Sequence, residues 1–262
     1  HGAGIGFGGA ADVGSAIISK RVGSNYKSDL LFYTKDSTVS TADPTLAMTI
    51  SSAGAVSIPS GTVTVGSLDI GHGANGDDSN TAVGKDAMDG ALAGALDNTA
   101  IGSGALSGTL TSAADYNTAV GSSAGAVITS GNNNTAIGAL ALDACTGGLE
   151  NTAVGSAALS AACGNSNVAI GRETLLAFTG SNATAIGANA ADAATSASSL
   201  TAVGKSALGA CTDSADNTAV GYQALAGVVS GSSQNTALGV NAGLSAGAAG
   251  AATANTFIGH HA

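Results

Sequence analysis

Asn80-Thr81-Ala82-Val83-Gly84, with Ala87-Met88 close behind, is the first copy of a phrase that returns to the end of the 262-residue chain. Its glycine falls at Gly84, Gly102, Gly121, Gly138, Gly155, Gly171, Gly187, Gly204, Gly221, Gly239 and Gly259, eleven units spaced 16 to 20 residues apart. Such a repeat decides the architecture before any local pattern does, because one unit cannot bury its apolar face alone and must stack on the next. The spacing predicts an all-β protein, a parallel β-solenoid of about eleven short coils over residues 80–262.

Counting the asparagine as position zero, position one is Thr in ten units and Val168 in the other. Position three is always aliphatic: Val83, Ile101, Val120, Ile137, Val154, Ile170, Ile186, Val203, Val220, Leu238 and Ile258. Residues two apart in a strand share a face. Val168 standing in for Thr marks that face as apolar, which assigns these aliphatic residues to the coil interior. Position two then faces outward, and Ala82, Ala100, Ala119, Ala136, Ala153, Ala169, Ala185, Ala202, Ala219 and Ala237, with Phe257 in the last unit, are expected to face neighbouring chains. The glycine at position four turns the backbone.

Position seven is Ala except at Thr174, and position eight is mostly Leu or Met, which suggests a short second strand. The remainder of each unit varies, from Gly131-Asn132-Asn133 to the stretch 245–254, so length changes are absorbed in loops on one edge. Asparagine recurs at position zero except at Ala183 and Leu200, and stacked Asn side chains can hydrogen-bond along a column.

A coil this thin buries few large side chains, less than the ordering entropy demands. Association compensates. Three chains closing round the alanine row would cover what each leaves exposed, giving a homotrimer about 50 Å long at about 4.8 Å per coil.

Residues 1–58 lack the repeat and form an N-terminal β module. GIGFGG (4–9), AIISKRV (16–22), DLLFYTKD (29–36) and LAMTISSAGAVSIP (46–59) are strand-like runs separated by Gly, Ser, Asn, Asp and Pro44. Four of the eight aromatic residues, Phe7, Tyr26, Phe32 and Tyr33, lie here, yet a module this small is marginal alone. Residues 59–79 carry transition strands (TVTVGSLDI) and a turn-rich link (GHGANGDDS) into the first unit.

GIGFGG, DLLFYT and PTLAMTISSAGAVSIP together resemble the trimeric β modules of phage tail fibres. The NTAVG/NVAIG phrase followed by xxAL, closest at Asn167-Val168-Ala169-Ile170-Gly171, is similar to the repeats in the heads of trimeric autotransporter (YadA-like) adhesins, though the units here are longer. The second resemblance implies a left-handed parallel β-roll assembled as a trimer; similar units occur in phage fibres.

Composition narrows the function. With 40 Gly, 9% charged residues and no Trp, the chain has little conventional core, while its positive mean hydropathy argues against disorder. Net charge is −10, and beyond residue 35 only Lys85, Arg172 and Lys205 are basic, which speaks against a nucleic-acid partner. The many Asp residues there read as soluble turn residues, with calcium capture the alternative. No apolar run is long enough for a membrane helix, so no membrane insertion is expected. The start at His1 rather than Met suggests a fragment or processed product. Cys145, Cys163 and Cys211 occupy nearly the same place in their units and read as small buried filler. Neighbouring coils would also let Cys145 and Cys163 form a disulfide.

Candidate chemistry is sparse. His1, His72, His260 and His261 all lie outside the body of the repeat, so no nucleophilic triad is legible. His72 reads as solvated, and His260-His261 as a weak metal pair. The carboxylates Asp77/Asp78 and Asp86/Asp89 lack the cleft aromatics of a glycan hydrolase. The expectation is a non-enzymatic protein with no catalytic residues, metal or cofactor: a phage tail fibre or related virion appendage that gives reach and meets a host-surface glycan or protein receptor through its loops. A bacterial adhesin or extracellular filament is the alternative, on a virion or a cell surface. A glycan depolymerase or ice-binding solenoid is more remote, since the Thr ladder is expected to point inward.

Overall fold

The computed structural model describes residues 4–7, 15–22, 27–34, 45–51, 56–58, 63–65, 68–74, 78–91, 94–196, 198–246 and 252–262. They divide into two compact units, His1–Val63 and Thr64–Ala262. No helix occurs among the described residues, so none is long and apolar enough to cross a membrane.

The first unit is an antiparallel meander of β1 (Gly4–Phe7), β2 (Ser15–Val22), β3 (Lys27–Thr34), β4 (Thr45–Ile50) and β5 (Val56–Ser57), paired in chain order. Ile17 lies opposite Phe32, and a bulge between Phe32 and Tyr33 shifts the register to β4. Leu31 is buried and Leu30, Phe32 and Tyr33 half-buried, so the DLLFYT run supplies core to this unit. Tyr26 lies outside the described residues.

The second unit is built on one long sheet. The transition segment is its first part: β6 (Val63–Val65) pairs with β7 (Leu68–Gly71), and β7 runs antiparallel to β8 (Thr81–Val83), setting Ile70 opposite Val83. From there every strand is parallel to the next. These are β9 (Thr99–Ile101), β10 (Thr118–Val120), β11 (Thr135–Ile137), β12 (Thr152–Val154), β13 (Val168–Ile170), β14 (Thr184–Ile186), β15 (Thr201–Val203), β16 (Thr218–Val220), β17 (Thr236–Leu238) and β18 (Thr256–Ile258). The register never slips: Thr118 pairs with Thr135, Thr135 with Thr152 and Thr152 with Val168. The chain is therefore a parallel β-solenoid, one three-residue strand per copy of the phrase.

The rest of each coil is turn, not the short second strand expected at positions seven and eight. In coils two to ten three places adopt left-handed backbone: the residue before position zero, and those at positions six and eight. Glu150, Ala157 and Leu159 in one coil, with φ of 58°, 53° and 50°, are typical. Such φ costs a non-glycine residue about 1 kcal/mol or more. Bonds between coils hold each in place. Glu150 donates its N–H to the Asn132 carbonyl (3.0 Å), Ala157 to that of Ala139 (2.9 Å) and Leu159 to that of Thr174 (2.9 Å).

The corner glycine has φ near +135° in every coil. At Gly138 an added Cβ would lie 2.5 Å from the carbonyl oxygen of Gly155 in the next coil, so both the backbone conformation and the stacking exclude a side chain.

The core is narrow and columnar. Leu142, Leu159, Leu175, Leu208 and Leu225 at position eight are fully buried, beside alanines at position seven or, at Leu175, the buried Thr174. A third column of variable size holds Leu110, Ile128, Phe178 and Val228. The asparagines form the fourth. Asn98 is fully buried; its Oδ1 accepts the backbone N–H of Asn117 (2.9 Å) and its Nδ2 donates to the Ala114 carbonyl (2.8 Å). At Ala183 the column turns apolar, and Ala183 N–H still bonds to Asn167 Oδ1 (3.0 Å).

Candidate interaction face

The structure reverses the expected inside and outside of the strands. Ala100, Ala119, Ala153, Ala169, Ala185, Ala202, Ala219 and Ala237 are 0% exposed, Ala136 1% and Ala82 5%. They point into the coil of their own chain, where they cannot meet a neighbour. Positions one and three point outward instead: Ile101, Ile137, Ile170, Ile186, Leu238 and Ile258 are exposed, and Val83, Val120, Val154, Val203 and Val220 half-buried.

The alternation holds, with its sign inverted. Val168 is half-buried on the outer face with the threonines, where β-branched residues suit a pleated surface whichever way it faces. The deciding constraint is width. Leucine, the variable third column and asparagine fill the coil, leaving room opposite for a methyl group only. The last coil bears this out. Phe257 occupies the inward position because Gly243 stands where Leu stands elsewhere: a Cβ on Gly243 would lie 2.8 Å from Phe257 Cδ2. Likewise a Cβ on Gly125 would lie 3.0 Å from Ile128 Cδ1, so the third-column residue of that coil occupies the space beside the glycine.

The exposed face is thus a strip of two columns, threonine and aliphatic, repeating coil after coil. Eleven strands at about 4.8 Å make it about 50 Å long, and a width of about 10 Å gives an area on the order of 500 Å². A strip of that extent, half of it threonine, is comparable with the largest apolar patch of a typical monomer, and such patches are often functional.

The loops opposite carry a second threonine column. Thr111 Oγ1 donates to the Thr129 carbonyl (2.9 Å), Thr129 to that of Thr146 (3.3 Å), Thr179 to that of Thr195 (2.8 Å) and Thr195 to that of Thr212 (2.9 Å). These hydroxyls are spent along the solenoid axis.

Cys145 and Cys163 form a disulfide between adjacent coils, with Cα atoms 5.3 Å apart. The filler role fails for this pair and fits Cys211, which is buried and free. Burial pushes the Cys211 thiol up, and its Sγ–H donates to the Ser214 carbonyl (3.5 Å).

The candidate chemical groups do not converge. Among the described residues no cluster of three His, Cys, Asp or Glu side chains could hold a metal ion. His260 and His261 touch edge to face at 4.2 Å, and His261 Nε2 lies 3.3 Å from Asn241 Nδ2. His72 is not simply solvated, because its Nδ1 pairs with the carbonyl of Asn80 at 3.0 Å, at the start of the first coil. Asp86 pairs with Lys85 on the surface. Asp77 lies outside the described residues. No known protein family, curated protein or solved structure matches the chain.

Proposed function

We propose that the chain is a structural segment of a fibre, a trimeric shaft or distal part of a phage tail fibre or related virion appendage that supplies reach and presents loops to a host-surface receptor. One observation carries this: an uninterrupted strip of half-exposed threonine and aliphatic side chains along the whole stack. Three copies packing these strips round a common axis bury what one chain leaves to water. The surface for that packing is the Thr/aliphatic face, in place of the alanine row, which is already filled within each coil. The resemblances to tail-fibre modules and YadA-like heads support the same assembly, and a bacterial adhesin would use it equally. Sedimentation equilibrium of the chain tests it. A particle of three chains is expected, and a stable folded monomer overturns it.

The outward threonines favour one further reading. A flat, regularly spaced array of threonine hydroxyl and methyl groups is the surface an ice-binding solenoid presents. The two roles exclude each other, since a strip buried between chains cannot meet ice. Thermal hysteresis in a monomeric sample would select the second.

A further inference from the structure

The residue before position zero has left-handed backbone ahead of each of coils two to eleven, and these residues form an exposed column along the edge where the strands begin. Asparagine and aspartate tolerate such backbone best, and Asp97, Asn133, Asn182 and Asp216 are of that kind. The others are Glu, Ser, Gln or Ala, with one exception. Tyr116 holds a bulky aromatic ring there at a φ of 59°. Burial does not compensate for the strain: Tyr116 is 60% exposed, and its hydroxyl has no hydrogen-bond partner among the described residues.

Bonds between coils fix its surroundings. Tyr116 donates its N–H to the Leu96 carbonyl (3.1 Å) and Asn133 to that of Asp115 (3.0 Å), so each residue of the column lies beside the one two before position zero in the preceding coil. Leu96 is exposed too, and with Tyr116 it makes a small apolar pad on an otherwise polar edge. Asp97, Asp115 and Asn133 stand round it. Asp115 Oδ1 accepts the N–H of Leu96 (2.8 Å), which holds the carboxylate at the pad and leaves Oδ2 to accept from outside. Asn133 Nδ2 donates to Asn132 Oδ1 (2.9 Å), which leaves Asn133 an acceptor oxygen and a second N–H to spend.

We propose that Tyr116 is the stacking platform of a glycan-binding site whose ligand is an uncharged hexopyranose unit. The proposal gives a chemical class to the receptor contact put forward above and rests on that reading. The face of an aromatic ring is electron-rich and attracts the C–H groups on the apolar side of a sugar ring. Carboxylate and amide groups beside the ring pair with the sugar hydroxyls. Three coils span about 10 Å, room for a sugar unit or two and far short of a protein interface. Charge turns acidic sugars away: Asp97, Asp115 and Glu150 lie on this edge, and neither of its two columns holds a Lys or Arg.

Titration of the full chain with methyl glucoside, methyl galactoside, methyl mannoside and N-acetylglucosamine, followed by saturation-transfer NMR, tests the site. At least one sugar is expected to bind, and Tyr116→Asn to weaken it about tenfold or more. Tyr222→Ala removes the other exposed tyrosine, on the opposite edge, and should leave binding unchanged. Because Asn suits left-handed backbone, Tyr116→Asn should also melt at or above the wild-type temperature and sediment as wild type does. Binding of none of the four sugars, or equal binding by Tyr116→Asn, overturns the site. So does a Tyr116→Asn variant that melts lower, which makes the ring structural, or one that loses assembly, which makes it a contact between copies. A wild-type monomer whose sugar binding is lost in Tyr116→Asn removes the fibre reading and upholds the site, since every residue of it belongs to one chain.

Discussion

The side-chain amide of Asn151 is tied to that of Asn134 in the coil before it: Asn134 Oδ1 accepts both the backbone N–H of Asn151 (2.9 Å) and its Nδ2 (3.2 Å). Asn151 Nδ2 also donates to the Gly164 carbonyl of its own coil (2.9 Å), and its Oδ1 accepts the backbone N–H of Asn167 in the next (2.9 Å), so one side chain joins three coils. Replacing Asn134 or Asn151 by Ala strands buried donors and acceptors and is expected to cost about 1–3 kcal/mol each. Ser156→Ala, at an exposed position with ordinary backbone, should lie within about 0.5 kcal/mol of wild type. Thermal melting of the three variants checks this.

Ala136→Glu and Ile137→Glu separate the two sides of one strand. The first puts a carboxylate inside the coil and is expected to unfold its neighbourhood, seen as lost circular dichroism and rapid proteolysis. The second leaves the coil intact, because Ile137 is 40% exposed, and should change only sedimentation. Equal unfolding by both would contradict the orientation of the strands.

Gly138→Ala meets two obstacles, a φ of +132° and the Gly155 carbonyl. About 3 kcal/mol of destabilisation is expected, from backbone strain and overpacking together. Limited proteolysis should cut within coils four and five first.

Thiol counting tests the cysteines. Without reductant the unfolded chain should show one thiol, Cys211, and the native chain none that reacts quickly. Burial that raises the Cys211 thiol keeps it protonated at neutral pH. Reducing the Cys145–Cys163 bond, which spans 18 residues, should lower stability by about 3 kcal/mol on loop-entropy grounds. Melting curves with and without reductant measure the difference.

The coil count, the asparagine ladder and the corner glycines are all legible in the sequence, because each needs one residue type in one place and the phrase repeats it. The face of the strand is not. Thr and Val168 suit a half-exposed surface as well as an interior, so the substitution carries no sign. A better signal lies at Phe257: the one large residue at position two comes after the unit whose position eight is Gly243, as two side chains sharing one space must. The left-handed corners are hidden for a different reason. Glu150, Ala157 and Leu159 have no preference for such backbone, and only the bonds from neighbouring coils hold them there.

The disulfide has a consequence for how the stack yields to force. Bonds between coils run along the axis, so a pull on one end loads a single rung at a time and the solenoid unzips coil by coil. Cys145 and Cys163 weld the fourth rung to the fifth. A pull therefore passes through the bridge and bypasses the 18-residue loop it closes, so these two coils stay tethered when the others unwind and leave a seed on which the solenoid can rewind.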